Sequence, residues 1–331
     1  VIDDSAFART VIARLLRASG KIDVVGTTQD GRAGLERIAA LDPDVVTLDL
    51  MMPGVDGLAV LRGLQGRSRP RVIVVSISTI DTELGAEALS LGAIDLITKP
   101  TGLGTDRLHE IGGELVAKVL AAAAGYLVAA PAPAPRAVAS VPTGNVALVV
   151  IGTSTGGPQA LSRVMAGLPA TLAAPVAIVL HIPAGYTEAL ARRLDKASPL
   201  HVVEARNGLE LRPGCAVLAP GGLHLRIARD GHVLRAHVGV APARPFVPSV
   251  DELFTSAAVA VGAGALGVVL TGMGDDGLIG ARAIAAAGGS LLTEDASTCV
   301  IYGMPRCVDA AGLGATSVPI DDMAAEITRR V

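Results

Sequence analysis

Three side chains in the second half of the 331-residue chain have the types that open an ester: Ser154, His181 and Asp276. A serine hydroxyl becomes a nucleophile when a base takes its proton, and an imidazole base needs a carboxylate to orient it. Ser154 stands at the crest of Val149-Val150-Ile151-Gly152-Thr153-Ser154-Thr155-Gly156-Gly157-Pro158, where an uncharged run enters glycines. The spacing Gly152-x-Ser154-x-Gly156 fits a nucleophile elbow, a sharp strand-to-helix turn that exposes the serine oxygen. Taken alone, the loop is equally well an ordinary turn or helix cap. His181 follows the apolar run Pro175–Leu180, and Asp275-Asp276 follow Gly267–Thr271. The other five histidines lack such a placement, though His224, after Pro220-Gly221-Gly222, is a candidate for the rim. Spacing does not choose between Asp275 and Asp276. Backbone N–H groups in the glycine-rich loops, that of Met273 included, are candidates for an oxyanion hole.

The first third carries a second set. Asp3 and Asp4, Asp49, Ser76 and Lys99 each fall at the carboxyl end of a short apolar run. In a doubly wound sheet these ends line one crevice. Crowded carboxylates repel unless a cation joins them, and Mg²⁺, which binds one or two carboxylates plus a phosphate, is the natural partner. Such a site lets Asp49 accept a phosphoryl group, with the metal and Lys99 neutralising the developing charge.

The elements that must position these residues follow from the same pattern. Val45–Leu48 and Val72–Val75 are β-branched and uncharged, so they read as buried strands; Arg9–Ser19 and Leu58–Leu64 are amphipathic. Strands alternating with helices predict a parallel, doubly wound sheet over residues 1–120. Residues 121–144 change texture: Ala129-Ala130-Pro131-Ala132-Pro133-Ala134-Pro135 cannot continue a helix and reads as a linker, its alanine-rich start finishing the last helix. Residues 145–331 again give strand-loop-helix units. Asn207-Gly208 and Asp230-Gly231, flanked by alternating apolar residues, predict an antiparallel hairpin insertion, and Gly289–Glu294 one more strand. The fold class expected is therefore α/β, two doubly wound domains. A dinucleotide-binding fold is disfavoured because Gly152-x-x-x-Gly156-Gly157 is not G-x-G-x-x-G. The order Ser, His, Asp also differs from the Ser, Asp, His order of α/β-hydrolases.

Bulk composition agrees. Half the residues are hydrophobic and only 2% aromatic, so small aliphatics do the packing, as in parallel sheets covered by helices. A net charge of -3 argues against a nucleic-acid binder. Cys215, Cys299 and Cys307 have no metal spacing and read as reduced thiols in the cytoplasm. The uncharged stretch between Glu252 and Asp275, about 22 residues, is long enough for a bilayer, but its glycines make it a helix end, a loop and a buried strand rather than a membrane insertion. The chain starts at Val1 directly before the acidic pair, so the first strand is expected to be truncated.

Two resemblances sharpen this reading. Asp3-Asp4-Ser5, Leu48-Asp49-Leu50-Met51-Met52-Pro53-Gly54-x-Asp56-Gly57, Ser76 and Thr98-Lys99-Pro100 resemble a response-regulator receiver domain, of flavodoxin-like fold. The resemblance implies phosphorylation of Asp49 by a CheA-type histidine kinase. It also implies Mg²⁺ held by Asp4 and Asp49, with Asp3 through water, and phosphoryl contacts from Ser76 and Lys99. Leu96 stands where receivers usually carry an aromatic residue, so signalling is expected to rely on the loop near Ser76 and its neighbouring helix. Farther on, Gly152–Pro158, Leu180–Thr187, Ala219–His224, Pro248-Ser249-Val250-Asp251, Leu270–Gly277 and Gly303-Met304-Pro305 resemble the CheB family of chemotaxis methylesterases. That resemblance implies a Ser154–His181–Asp276 triad, Thr155 near the nucleophile, Met273 at the oxyanion site, and no cofactor for the ester reaction. It implies glutamyl methyl esters of chemoreceptors as substrates, with deamidation of glutamines by the same triad. Asp275 stands where asparagine is common, and Ala241–Val247 replaces a polar, basic stretch. A receiver-controlled scaffold, or an esterase acting on a protein outside chemotaxis, is the alternative.

Overall fold

The computed structural model describes residues 1–67, 69–77, 82–100, 111–124 and 146–331. It divides into two compact units, Val1–Leu127 and Val128–Val331.

In the first unit, two helices precede alternating strands and helices: α1 (Ala6–Ala18), α2 (Gly31–Leu41), β1 (Val45–Leu48), α3 (Gly57–Leu64), β2 (Arg71–Ile77), α4 (Thr82–Ser90), β3 (Asp95–Lys99) and α5 (Gly112–Ala124). Short polar side chains start the helices: Ser5, Asp30 and Asp56 accept the N–H groups of Ala8, Ala33 and Ala59. These bonds satisfy donors that a helix leaves without intrahelical partners. β1, β2 and β3 are parallel neighbours. Ile2 bridges Leu48 on one side and Thr28 on the other, also in parallel. The N-terminal segment thus sits inside the sheet and gives the 2-1-3-4-5 order of flavodoxin-like folds. Ser76 lies within β2 and Lys99 ends β3, so both belong to the carboxyl ends of their strands rather than to the loops beyond. Leu96 is buried in β3 as part of the core. Residues 121–124 are the end of α5; the rest of the 121–144 stretch, and the loop after Ile77, lie outside the described residues.

The second unit is built on a seven-stranded sheet. Its strands are β4 (Leu148–Thr153), β5 (Val176–Leu180), β6 (His201–Glu204), β8 (Cys215–Leu218), β11 (Ala265–Val269), β12 (Ser290–Glu294) and β13 (Thr316–Val318), in the spatial order β13-β12-β11-β4-β5-β8-β6. Every pairing is parallel. Leu148–Ile151 and Val176–Val179 are wholly buried, as strands covered on both faces must be. The helices are α6 (Gly157–Gly167), α7 (Thr187–Ala197), α8 (Val250–Val261), α9 (Leu278–Ala286), α10 (Met304–Ala310) and α11 (Ile320–Arg330). The chain runs outward from β4 through β5 on one side and through β11 on the other. β4 therefore marks the switch point, where such sheets open a crevice at their carboxyl ends.

The insertion differs from expectation in one respect. β7 (Glu210–Leu211), β9 (His224–Asp230) and β10 (Val233–Gly239) form a small antiparallel sheet in the order β7-β10-β9. Asp230-Gly231 closes the β9–β10 hairpin as predicted, with Gly231 at φ 59° in the first loop position, where a type II′ turn takes glycine. Asn207-Gly208 makes no hairpin. It leads from β6, in the large sheet, to β7, in the small one, while β8 returns to the large sheet. A turn dipeptide fixes a reversal but not which strand the chain then joins. The stretch from Glu252 to Asp275 resolves into α8, a 3₁₀ turn at Gly262–Gly264 and β11. Among the described residues, no helix is long and apolar enough to cross a membrane.

Candidate active site

Ser154 follows β4 and enters α6 through Gly156, whose φ of 82° is a conformation that side chains rarely take. A Cβ there would also strike Val300 at 2.5 Å. The turn is held by Gly157 N–H donating to Ser154 O at 2.7 Å and by Ser154 N–H donating to Thr271 O at 3.0 Å. The glycine spacing read from sequence thus makes a strand-to-helix elbow and not merely a cap.

His181 follows β5, the parallel neighbour of β4. Thr153 and Leu180 are register partners, so Ser154 and His181 are the next positions on adjacent strands, and His181 N–H donates to Thr153 O at 3.1 Å. The third element, the loop after β11, brings in Asp276 and leaves Asp275 exposed. His181 Nε2 lies 2.7 Å from Asp276 Oδ2. A carboxylate only accepts, so Nε2 carries the proton and Nδ1 the lone pair. Nδ1 is buried and, among the described residues, has no hydrogen-bond partner.

Asp276 is saturated with donors. Besides His181, it receives Val250 N–H at 2.7 Å, Ser249 Oγ at 2.9 Å and Asp251 N–H at 3.0 Å. Two of these belong to the first turn of α8, where unpaired N–H groups favour an anion. Burial alone would raise this carboxyl; the bond to His181, its charge and the N–H groups of Asp251 and Val250 outweigh burial and hold it below the ordinary range. The favour is returned: Asp251 Oδ1 accepts Gly277 N–H at 2.9 Å and Gly280 N–H at 2.8 Å, at the start of α9. His224 is fully buried rather than on the rim. Its Nδ1 accepts Ser249 N–H at 3.2 Å and its Nε2 donates to Pro242 O at 2.9 Å, tying two segments that border Asp276.

Thr271 forms the floor beneath the serine. Its carbonyl accepts Ser154 N–H and, at 2.7 Å, Thr153 Oγ1; its hydroxyl donates to Thr155 O at 3.0 Å. Its own N–H donates to Glu294 Oε2 at 2.8 Å. Burial pushes the Glu294 carboxyl up to about 7, against the Thr271 N–H and Thr298 hydroxyl that favour its charge. Thr155 is buried beside the nucleophile. Among the described residues, the Met273 N–H donates to nothing, which leaves it available to an oxyanion. Phe246 stacks on His181, ring centroids 4.4 Å apart and planes 6° from parallel. Sequence reasoning missed Ser249, Thr271, Glu294 and Phe246 as parts of the site. Ser249 had a local signal, a capping residue before an apolar helix; the others act across long sequence separations.

In the first unit, Lys99 Nζ joins Asp49 Oδ2 at 2.5 Å and Asp3 Oδ2 at 2.7 Å, all three side chains buried. Ser76 Oγ donates to Asp49 Oδ1 at 3.1 Å, and Ser5 N–H to Asp3 Oδ1 at 3.0 Å. Burial raises the Asp3 carboxyl and the nearby Asp49 charge adds to it, while Lys99 opposes both. One carboxylate oxygen from each of Asp3, Asp4 and Asp49 lies within 4.8 Å of the others. An all-oxygen, multiply anionic set of this size fits a hard divalent cation.

Comparison with known proteins defines the class first. Residues 1–112 match the response regulator receiver domain, and residues 149–327 match CheB methylesterase. A protein-glutamate methylesterase/protein-glutamine glutaminase of Myxococcus xanthus is 53% identical over all of this chain and 97% of its own length. One of Symbiobacterium thermophilum is 41% identical over all of this chain and 96% of its own. Among solved structures, the Thermotoga maritima CheB methylesterase catalytic domain is 36% identical, with a TM-score of 0.55 over 56% of this chain and 98% of that domain. The chain belongs to the CheB methylesterase family, with an N-terminal response-regulator receiver domain.

Proposed function

We propose that this chain is a phosphorylation-activated protein-glutamate methylesterase. It hydrolyses γ-glutamyl methyl esters on the cytoplasmic helices of chemoreceptors and deamidates glutamines by the same route. The observation that carries the reading is the His181–Asp276 bond, with a proton-accepting Nδ1 left unpaired at the strand end beside Ser154. Ser154 Oγ attacks the ester carbonyl while His181 Nδ1 takes its proton. The Met273 N–H, with Thr155 close by, stabilises the oxyanion. His181 then gives the proton to the departing methoxy group, which leaves as methanol. A water molecule, deprotonated by His181, clears the acyl-enzyme as the carboxylic acid. Asp276 holds the imidazole in one tautomer and offsets the charge it gains.

In the receiver domain, Asp49 accepts the phosphoryl group from a CheA-type histidine kinase, and Ser76 and Lys99 contact it. Asp4 and Asp49, with Asp3 through water, would hold Mg²⁺, which supplies charge neutralisation for that transfer. The activity belongs to the cytoplasm, in keeping with three free cysteines.

The test is methanol release from methylated receptor membranes, with and without acetyl phosphate and Mg²⁺. Release that rises with the phosphodonor is expected, and Asp49→Asn removes that rise. No methanol overturns the substrate; a rate indifferent to phosphodonor overturns the regulation.

A further inference from the structure

Triad chemistry gives the segment Ala241–Val247 no role. It is nonetheless tied down at three points. Pro242 O accepts from His224, Arg244 binds Glu252 Oε1 through Nη2 at 2.7 Å and Nε at 2.8 Å, and Val247 O accepts Gly222 N–H at 3.2 Å. Between these ties the segment lays the Phe246 ring flat on His181. The far end of the ring, Cζ, lies 4.0 Å from where a side chain on Gly274 would begin. The ring therefore reaches from the base to the turn that carries Met273.

The imidazole needs such a neighbour. Histidine χ2 sits in a broad well. Among the described residues, the ring's one side-chain bond is to Asp276, while Nδ1 has no partner to fix the opposite edge. A single in-plane bond leaves tilt out of the plane unopposed. A flat aromatic wall opposes that tilt, covers the ring face without competing for the bonds of either edge nitrogen, and favours the cationic ring formed when the proton arrives.

We propose that Phe246 is a positioning residue for His181, holding the imidazole plane so that Nδ1 faces Ser154. The inference rests on the reading of Ser154 and His181 as nucleophile and base.

The test compares full-length protein with Phe246→Tyr, Phe246→Leu and Phe246→Ala. Two readouts are used: covalent labelling of Ser154 by a fluorophosphonate and methanol release from methylated receptor. Alanine is expected to slow labelling and lower kcat about tenfold, the scale of an aromatic pair plus its cation contribution, with KM changed less than about twofold. Tyrosine restores most of the rate, and leucine, which fills space without a flat π face, restores less. Labelling of the alanine variant at the parent rate overturns the inference, as does failure of tyrosine to rescue. A parent protein that labels but releases no methanol refutes the substrate, not Phe246, whose role the labelling rates still decide. A parent protein that does not label overturns both.

Discussion

The molecule uses buried aspartates in two places and gives them different surroundings. Asp276 receives four hydrogen bonds from groups of its own chain, two of them from the start of α8. Asp49 and Asp3 share one lysine and few neutral donors, with the exposed Asp4 beside them. A carboxylate whose lone pairs are filled is a fixed anion; it can orient an imidazole and little else. A cluster of under-filled carboxylates keeps acceptor capacity for something that arrives, a cation and a phosphoryl group. The chemistry each aspartate can do is set by how many donors the fold has already spent on it.

Substitutions test this contrast. The largest effect is expected for Ser154→Ala, which removes the group that the Asp276 arrangement serves. Methanol release should fall about 10⁴-fold or more, read in a single-turnover assay. Asp276→Asn comes next, with kcat down by about 10³-fold or more, because an amide presents N–H groups where four donors converge and no longer fixes the His181 tautomer.

Glu294→Gln probes a third kind of buried carboxyl, one whose burial outweighs the Thr271 N–H, the Thr298 hydroxyl and the charge of Arg163 and raises its value from 4.5 to about 7. Between those values the folded state holds a proton that the unfolded state has released, so stability falls as pH rises and stays low above about 7. Glutamine keeps the oxygen that accepts the Thr271 N–H and removes the charge. It should stabilise the esterase unit at pH 8.5 by as much as about 3 kcal/mol and by little near pH 4.5, read from denaturant midpoints. An equal gain at both pH values would show that the carboxyl is not the source. The smallest effect belongs to Asp275→Asn. An exposed side chain beside the buried one should change kcat by less than about twofold, which separates two adjacent aspartates by burial alone.

Much of this was legible in the chain. Short β-branched runs with no charge can only be buried strands, and residues just beyond them fall on one edge of a parallel sheet. That places Ser154, His181 and Asp49 from local pattern, and the glycines around Ser154 from the turn they permit. The split of the insertion between two sheets was not legible, because β6 pairs with β8 in parallel, skipping the β7 that lies between them in sequence, and β8 also pairs with the distant β5, which no turn signal encodes. Nor was Phe246, whose loop has no periodicity to read.

The sequence by itself determined the two α/β units, the strand-end placement of the chemistry and the elbow at Ser154, since these follow from patterns within about ten residues. Spacing left Asp275 and Asp276 open and the family resemblance pointed to Asp276; the tertiary structure shows that Asp276 is buried and Asp275 exposed, that α8 supplies its donors, that Glu294 lies under Thr271, and that Phe246 covers His181. Each of those depends on burial and on donors brought from 20 or more residues away, as in the Ser249–Asp276, Thr271–Glu294 and His181–Asp276 bonds, separated by 27, 23 and 95 positions. No local pattern encodes such distances; only the packed sheet does.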